Sequence, residues 1–373
     1  MTSEVRALHR GTSSTFEVVP DTLRLLRERR RLRKKDVAES LRKHPSYVTR
    51  SESTTRGPVI FGDQERADYA SVLRVPPETL SRQFVEAPPE GVHFHTRKLS
   101  AEQRRQAVAH AVLTANNVNT MLTMLDVPRP AALPGVDVAG LSPLEAGRKA
   151  AQKTREEWGL DDDPIRDLAG LLESRGILLT HMRDLVEGVR GLTMLLSAHD
   201  APVMFLAPYV SDDVRRQTMA HELGHLVMDH TSGPLGAKDT EERATAFGGE
   251  FLAPFHMVRD RLTGLSPSNM GELIELQRQW GVHPGALIQR GFLHGVYTDN
   301  QRRHWFQSIN LNKRLIDNLP SSYPITMRAL AKLTQNVAAL GWSEPQLSSK
   351  LGFPADELAG ALEGWPYPQP VAV

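Results

Sequence analysis

Apolar positions in the first ninety residues fall in short groups at helical spacing. In DTLRLLRERRRLRKKDVAESLRKHPSYVTR, residues Leu23, Leu26, Val37, Leu41 and Val48 predict several short helices packed around turns. Proline and glycine interrupt the pattern at VEAPPEG, residues 85–91, and at DVPRPAALPGVDVAGLSP, residues 126–143. Between these breaks, Val108, Val112, Met121 and Leu125 recur at helical spacing and predict one or two connecting helices, suited to bridging or dimerisation.

The next segment opens on Ser142-Pro143-Leu144-Glu145, where serine caps, proline suits the first turn and glutamate completes a capping box. The helix it starts is expected to run to about Trp158 and stop at Gly159. Pro164 is expected to start a second helix through Ile165, Leu168, Leu171 and Leu172, ended by Gly176. Ile177–Thr180, Val189–Leu196 and Val203–Leu206 are short apolar runs that predict strands, the last two antiparallel. Ser211-Asp212-Asp213 then offers a cap and an acidic first turn for another helix.

This order predicts a mainly α chain with one α+β domain. The boundaries are a flexible tail over 1–18, an all-α helix-turn-helix domain over 19–86 and a connector with a proline-rich linker over 87–140. A domain with a small sheet follows over 141–298, and a helical domain over 299–373. At 373 residues the chain is long enough for two or three cores. No apolar run approaches the roughly 18 residues of a membrane span, and the opening MTSEVRALHRGTSST has no secretory pattern. With no cysteine, disulfides and thiolate metal sites are excluded, which fits a cytoplasmic protein. The net charge of +1 conceals a local excess: residues 21–50 hold eleven Lys/Arg against four Asp/Glu, a block suited either to a polyanion or to a solvated helix face.

Chemistry concentrates in RRQTMAHELGHLVMDH. His221 and His225, four apart, share one helix face, so two imidazoles can converge on one ion, while Met219, Leu223, Leu226 and Val227 anchor the helix. Glu222 lies between them, placed to act as a general base on water activated by zinc, as in the HExxH arrangement of zinc peptidases. A catalytic Zn2+ site needs a third protein ligand and one open position. The segment EERATAFGGEFLAP offers Glu241, Glu242 and Glu250 on a predicted helix ended by Pro254, and helical geometry alone does not choose among them. Asp229 and His230 lie one turn past His225, as second-layer groups or as polar residues at a helix end.

RRQTMAHELGHLVMDH followed by EERATAFGGEFLAP resembles the ImmA/IrrE family of metallopeptidases over roughly residues 145–295. That resemblance implies a zincin-like fold, Zn2+ held by His221, His225 and Glu241, and Glu222 as the catalytic acid/base. It departs from the family at Thr245, where Asn or Asp is usual and is expected to support a ligand histidine. Family members typically cleave repressor-like DNA-binding proteins, and the sheet before the histidine helix is expected to offer an edge for an extended substrate.

Residues 21–52 are similar to the XRE-type helix-turn-helix family, which resembles phage repressors. In that mapping Lys34 and Lys35 begin the first helix of the motif, and Pro45, Ser46, Tyr47, Thr49 and Arg50 lie on the recognition helix. The lysines and Arg50 suit phosphates, and Ser46, Tyr47 and Thr49 suit base edges. Arg42-Lys43 replaces the usual glycine and apolar residue of the turn, and Ser51, beside Glu52, replaces an apolar core residue. The carboxy-terminal third repeats a helix, glycine, helix rhythm at LIELQRQWGVHPGALIQRGFLHGVY and LSSKLGFPADELAGALEG, read as scaffold or partner contacts. Together these features lead to a DNA-binding regulator fused to a zinc endopeptidase acting on a regulatory protein, with homodimerisation as a further expectation. The competing reading is a non-proteolytic transcription factor that keeps the zincin fold as a sensor or dimerisation platform.

Overall fold

The computed structural model describes residues 14–56, 58–86, 92–96, 99–128, 133–181, 189–197, 200–228 and 238–353, with the backbone alone for 92–96. The protein is mainly helical, with small mixed sheets flanked by helices.

The first strand, β1 (Thr15–Val18), pairs antiparallel with β2 (Val59–Gly62), from Thr15 opposite Gly62 to Val18 opposite Val59. The flexible tail expected over 1–18 therefore gives way to a strand at Thr15. The alternation of TFEV explains this: Val18 enters the core at 1% exposure, and Phe16 takes the Arg66 guanidinium over its ring at 4.1 Å. Helices α1 (Pro20–Arg29), α2 (Lys34–Ser40), α3 (Pro45–Ser51) and α4 (Asp63–Leu73) complete this helix-turn-helix-like region.

Both departures in the motif have a structural counterpart. Arg42 adopts φ +54° just after α2, and Lys43 N–H donates to the Ala38 carbonyl at 2.8 Å, closing the turn that glycine usually makes. Glu52 is buried and accepts from Arg27 Nε at 2.5 Å and Nη2 at 2.9 Å, while Ser51 Oγ donates to the Tyr47 carbonyl at 3.0 Å. Where an apolar residue was expected, Ser51 is buried with its hydroxyl satisfied on the helix backbone, and the neighbouring Glu52 is buried in a hydrogen-bonded ion pair.

Strand β3 (Val92–Thr96) precedes α5 (Ala101–Met124), a single 24-residue helix capped by a reciprocal Ser100–Gln103 box. Helix α6 (Pro143–Glu157) carries the expected Ser142–Glu145 box and ends before Gly159, whose φ is +66°. The next helix, α7 (Leu168–Ser174), starts later than Pro164, with the Asp167 side chain accepting from Gly170 N–H. The reason lies outside the segment: Arg155 reaches from α6 to the Asp161 and Asp163 carbonyls, holding residues 159–167 as an ordered loop.

Strands β4 (Leu178–His181), β5 (Val189–Met194) and β6 (Val203–Leu206) join β3 in a four-stranded sheet of order β3-β5-β6-β4. β5 and β6 are antiparallel as expected, β4 and β6 parallel. β5 is paired on both sides, because β3 runs antiparallel along it from Val92 opposite Met194 to Thr96 opposite Val189. The edges of the sheet are therefore β3 and β4. Next come α8 (Asp212–Met228), α9 (Lys238–Leu252), α10 (Phe255–Thr263), α11 (Met270–Trp280) and α12 (Pro284–Leu293). The chain then forms α13 (Asp299–Leu311), α14 (Lys313–Asp317), α15 (Ala329–Ala339) and α16 (Glu344–Leu351).

The sheet separates two apolar cores. Leu178, Leu192, Met194, Val203 and Phe205 pack with the amino-terminal helices and α5. Leu179, Met204 and Leu206 pack with α6 to α13. This is the period-two alternation of strands read as a partition. The carboxy-terminal stretch contributes to both cores: Trp305, Ile309 and Ile316 join the second, while Leu330, Leu333, Val337, Leu347, Leu351 and Phe353 join the first. No described helix is long and apolar enough to cross a membrane.

Candidate metal centre

Helix α8 buries nearly its whole second half, so that both imidazoles stand in the protein rather than in solvent: His221 is 4% and His225 1% exposed. Their rings meet edge to face with centroids 4.8 Å apart, and the two Nε2 atoms lie 3.2 Å from each other. The third group comes from α9. Glu241 Oε2 is 3.3 Å from His221 Nε2, and Oε1 is 3.5 Å from His225 Nε2.

The approach of α9 depends on small residues. A Cβ at Gly248 would stand 3.0 Å from the His221 backbone nitrogen and 3.2 Å from the Ala220 carbonyl carbon; one at Gly224 would stand 3.1 Å from the Phe247 ring. Glu241, Thr245 and Gly248 are spaced four and three apart, so the face of α9 that carries the carboxylate also permits the close crossing. Sequence reasoning named Glu241 and Thr245 but missed Gly248; the signal was this spacing combined with an adjacent glycine pair in a helix.

Thr245 Oγ1 lies 3.3 Å from His221 Nδ1. A hydroxyl accepting there keeps the proton on Nδ1 and leaves the Nε2 lone pair directed at the cluster. The threonine thus occupies the supporting position that Asn or Asp was expected to fill.

The donor set fits a small cation. Bonds of about 2.0 Å to a tetrahedral centre place neighbouring ligand atoms about 3.3 Å apart. The three separations here are 3.2, 3.3 and 3.5 Å. The three groups form a candidate metal-coordinating cluster with ligand atoms all within 4.8 Å of one another. Burial opposes ionisation of Glu241, but hydrogen bonds and charge from His221 and His225 outweigh it and hold the carboxyl far below the usual range. The alternative glutamates are engaged elsewhere. Glu242 is half exposed beside Lys238 Nζ at 3.6 Å, and buried Glu250 accepts from Arg290 Nη2 at 2.7 Å and from Phe255 N–H at 3.2 Å.

Glu222, between the two histidines on α8, has its carboxyl near Gly191 of β5. It is 0% exposed, and neither carboxylate oxygen has a hydrogen-bond partner among the described residues. Burial pushes its pKa up to about 7, with His225 and Thr193 acting in the opposite direction. Gly191 makes room for Thr218 of the same helix: a Cβ there would collide with the Thr218 methyl, while standing in ordinary contact, 3.7 Å, from Glu222 Oε1. A carboxyl held near neutrality, unpaired and beside a cation site can accept and release a proton at physiological pH.

His221, Thr218 and Thr245 open on a cleft of about 750 Å³. Arg190 and Tyr209 line it from the sheet side, and His283, Gly285, Phe306 and Ile309 from α12 and α13. His283 caps α12 with Nδ1 accepting from Gly285 N–H at 3.1 Å, and its Nε2 is 3.8 Å from Asp317 Oδ1.

The residues singled out for nucleic acid lie at a different place, on α2 and α3. Lys35, Pro45, Ser46, Thr49 and Arg50 are exposed, and Lys34 is half-buried with Nζ 3.5 Å from Glu52. Tyr47 is turned inward. Its hydroxyl donates to Glu65 Oε1 at 2.6 Å and its ring stacks with Phe61 at 6.4 Å, which corrects the assignment of that residue to base edges. Asp229 and His230 lie outside the described residues.

A helix bearing paired histidines, a crossing helix bearing a carboxylate and a buried glutamate thus form a candidate metal centre beside a mixed sheet. Residues 172–290 match the family model described as the IrrE N-terminal-like domain of Peptidase_M78, so this segment is an IrrE/ImmA-like domain. A search of curated proteins returned no match to the chain.

Proposed function

We propose that this protein is a zinc-dependent endopeptidase coupled to a DNA-binding module, acting on a regulatory protein such as a repressor. The observation that carries the reading is the conjunction of three ligand atoms at tetrahedral spacing with an unpaired, buried carboxyl next to them. A purely structural site has no use for Glu222, which favours catalysis over the sensor or dimerisation reading.

In this reading His221, His225 and Glu241 hold Zn2+, leaving the side toward the cleft open. Zinc there would polarise a scissile carbonyl and acidify a water molecule. Glu222 takes the proton from that water at a carboxylate oxygen and returns it to the nitrogen of the leaving amine. Thr245 fixes the tautomer of His221. The cleft excludes bulk water from one side and orients the substrate chain. The recognition helix, α3, would present Ser46, Thr49 and Arg50 to DNA, with Lys34 and Lys35 near phosphates.

The test pairs wild type with Glu222→Gln against purified helix-turn-helix repressors, measuring cleavage and bound zinc together. Wild type is expected to cleave, and the variant to bind zinc equally and lose at least about a hundredfold in rate. Equal cleavage by both, or none by fully zinc-loaded wild type, would falsify the assignment.

A further inference from the structure

The matched segment ends at residue 290, yet the cleft does not. Its far wall is built by Phe306, Ile309 and Ile316 from α13 and α14, with Asn310, Lys313 and Asp317 alongside. Three apolar side chains therefore face the space that opens on His221, contributed by a part of the chain that the common domain does not supply.

The wall is held rigid from behind. Trp305 is 1% exposed and packs against Tyr297 with centroids 6.2 Å apart, while Ile309 and Ile316 are anchored at 6% and 2% exposure. Arg302 ties α13 to α12, donating to Gln289 Oε1 at 3.3 Å and lying over the Phe292 ring at 4.6 Å. Phe306 is the half-buried member of the set, and the absence of a side chain at Gly285 leaves its ring edge clear: a Cβ there would begin 3.4 Å from Phe306 Cε1. Phe306 thus offers a preformed apolar contact among polar neighbours such as Asn310, Lys313 and Asp317, and such a contact can select the side chain placed against it.

We propose that Phe306, backed by Ile309 and Ile316, is the specificity-determining contact of the cleft, selecting an extended polypeptide that places a large apolar side chain against α13. This inference rests on the peptidase reading and adds the substrate class.

The experiment offers a proteome-derived peptide mixture to zinc-loaded wild type, Phe306→Ala and Phe306→Leu, and identifies cut sites by mass spectrometry. Melting temperature and zinc content are measured on each protein. Wild type is expected to favour Leu, Ile, Met or Phe at one position beside the cut. Phe306→Ala should lower the ratio of kcat/KM for large apolar residues over alanine by about tenfold or more, while Phe306→Leu keeps most of it. A general loss of stability would lower rates for every peptide alike and leave that ratio unchanged. An unchanged ratio in Phe306→Ala, or no apolar preference in a cleaving wild type, overturns the proposal. If wild type cleaves nothing, the peptidase reading fails separately, and the wall is judged by binding. The same mixture retained on Glu222→Gln should then be enriched in large apolar residues, and less so on Glu222→Gln/Phe306→Ala. Equal retention by the two overturns it.

Discussion

Glu222 bears two opposed requirements: its helix position places it inside the protein, while the proposed chemistry requires a charge. With burial raising its folded pKa to about 7, the folded state binds a proton that the unfolded chain releases near pH 4.5. Stability from this group is therefore fully present below about pH 4.5 and is lost as pH rises through about 7. The size is on the order of 3 kcal/mol for such a shift. Denaturant melts of metal-free wild type and Glu222→Gln at pH 5 and pH 8 measure this directly. The wild type should lose more stability than the variant between those values, and parallel behaviour would contradict the burial argument. At this scale His221, Glu222 and His225 were legible because fixed spacing on a helix translates directly into shared direction. Helical spacing alone did not choose Glu241 over Glu242 and Glu250; the family resemblance did, and the structure adds that Lys238 and Arg290 engage the other two.

Elements were legible where their signals are local. The Ser142 capping box, the glycine stop at Gly159 and the antiparallel β5–β6 pair follow from neighbouring residues. The start of α7 was misplaced because a guanidinium on another helix competes for the loop carbonyls, which no local pattern reveals. In the helix-turn-helix region, glycine at the turn was replaced by Arg42 without loss of the turn, since lysine N–H still closes it. Non-glycine residues tolerate this backbone at a cost of roughly 1 kcal/mol. Tyr47 teaches a further lesson, because its position on α3 was correct and its direction was not. In the proposed DNA contact by α2 and α3, Tyr47 accordingly takes no part. If Lys35 and Arg50 meet phosphates, Lys35→Ala and Arg50→Ala should each reduce the slope of log affinity against log salt by about 0.9, whereas Tyr47→Phe leaves it unchanged. Salt-independent binding would remove the DNA half of the proposal.

For the molecule as a whole, the proline-rich breaks are visible in the sequence, but the packing across them is not. Which strand pairs with which is a non-local matter, and β3 comes from before α5 to lie on β5, more than ninety residues later. The sheet then serves two cores at once, and α15 and α16 return to the first of them. Arg82, for example, donates to the Lys350 carbonyl at 2.8 Å. This interlocking has a practical consequence for the strand Val92–Thr96. A backbone cut introduced between Pro128 and Leu133 would sever the chain without separating its halves, because β3, α5 and the returning helices still grip the sheet. The two pieces should elute together by size exclusion in buffer and part only in denaturant; independent elution would show that the cores are separable. The matched segment alone, by contrast, would present Leu178, Leu192, Met194, Val203 and Phe205 to water, and is expected to precipitate. What can be nicked safely here cannot be trimmed.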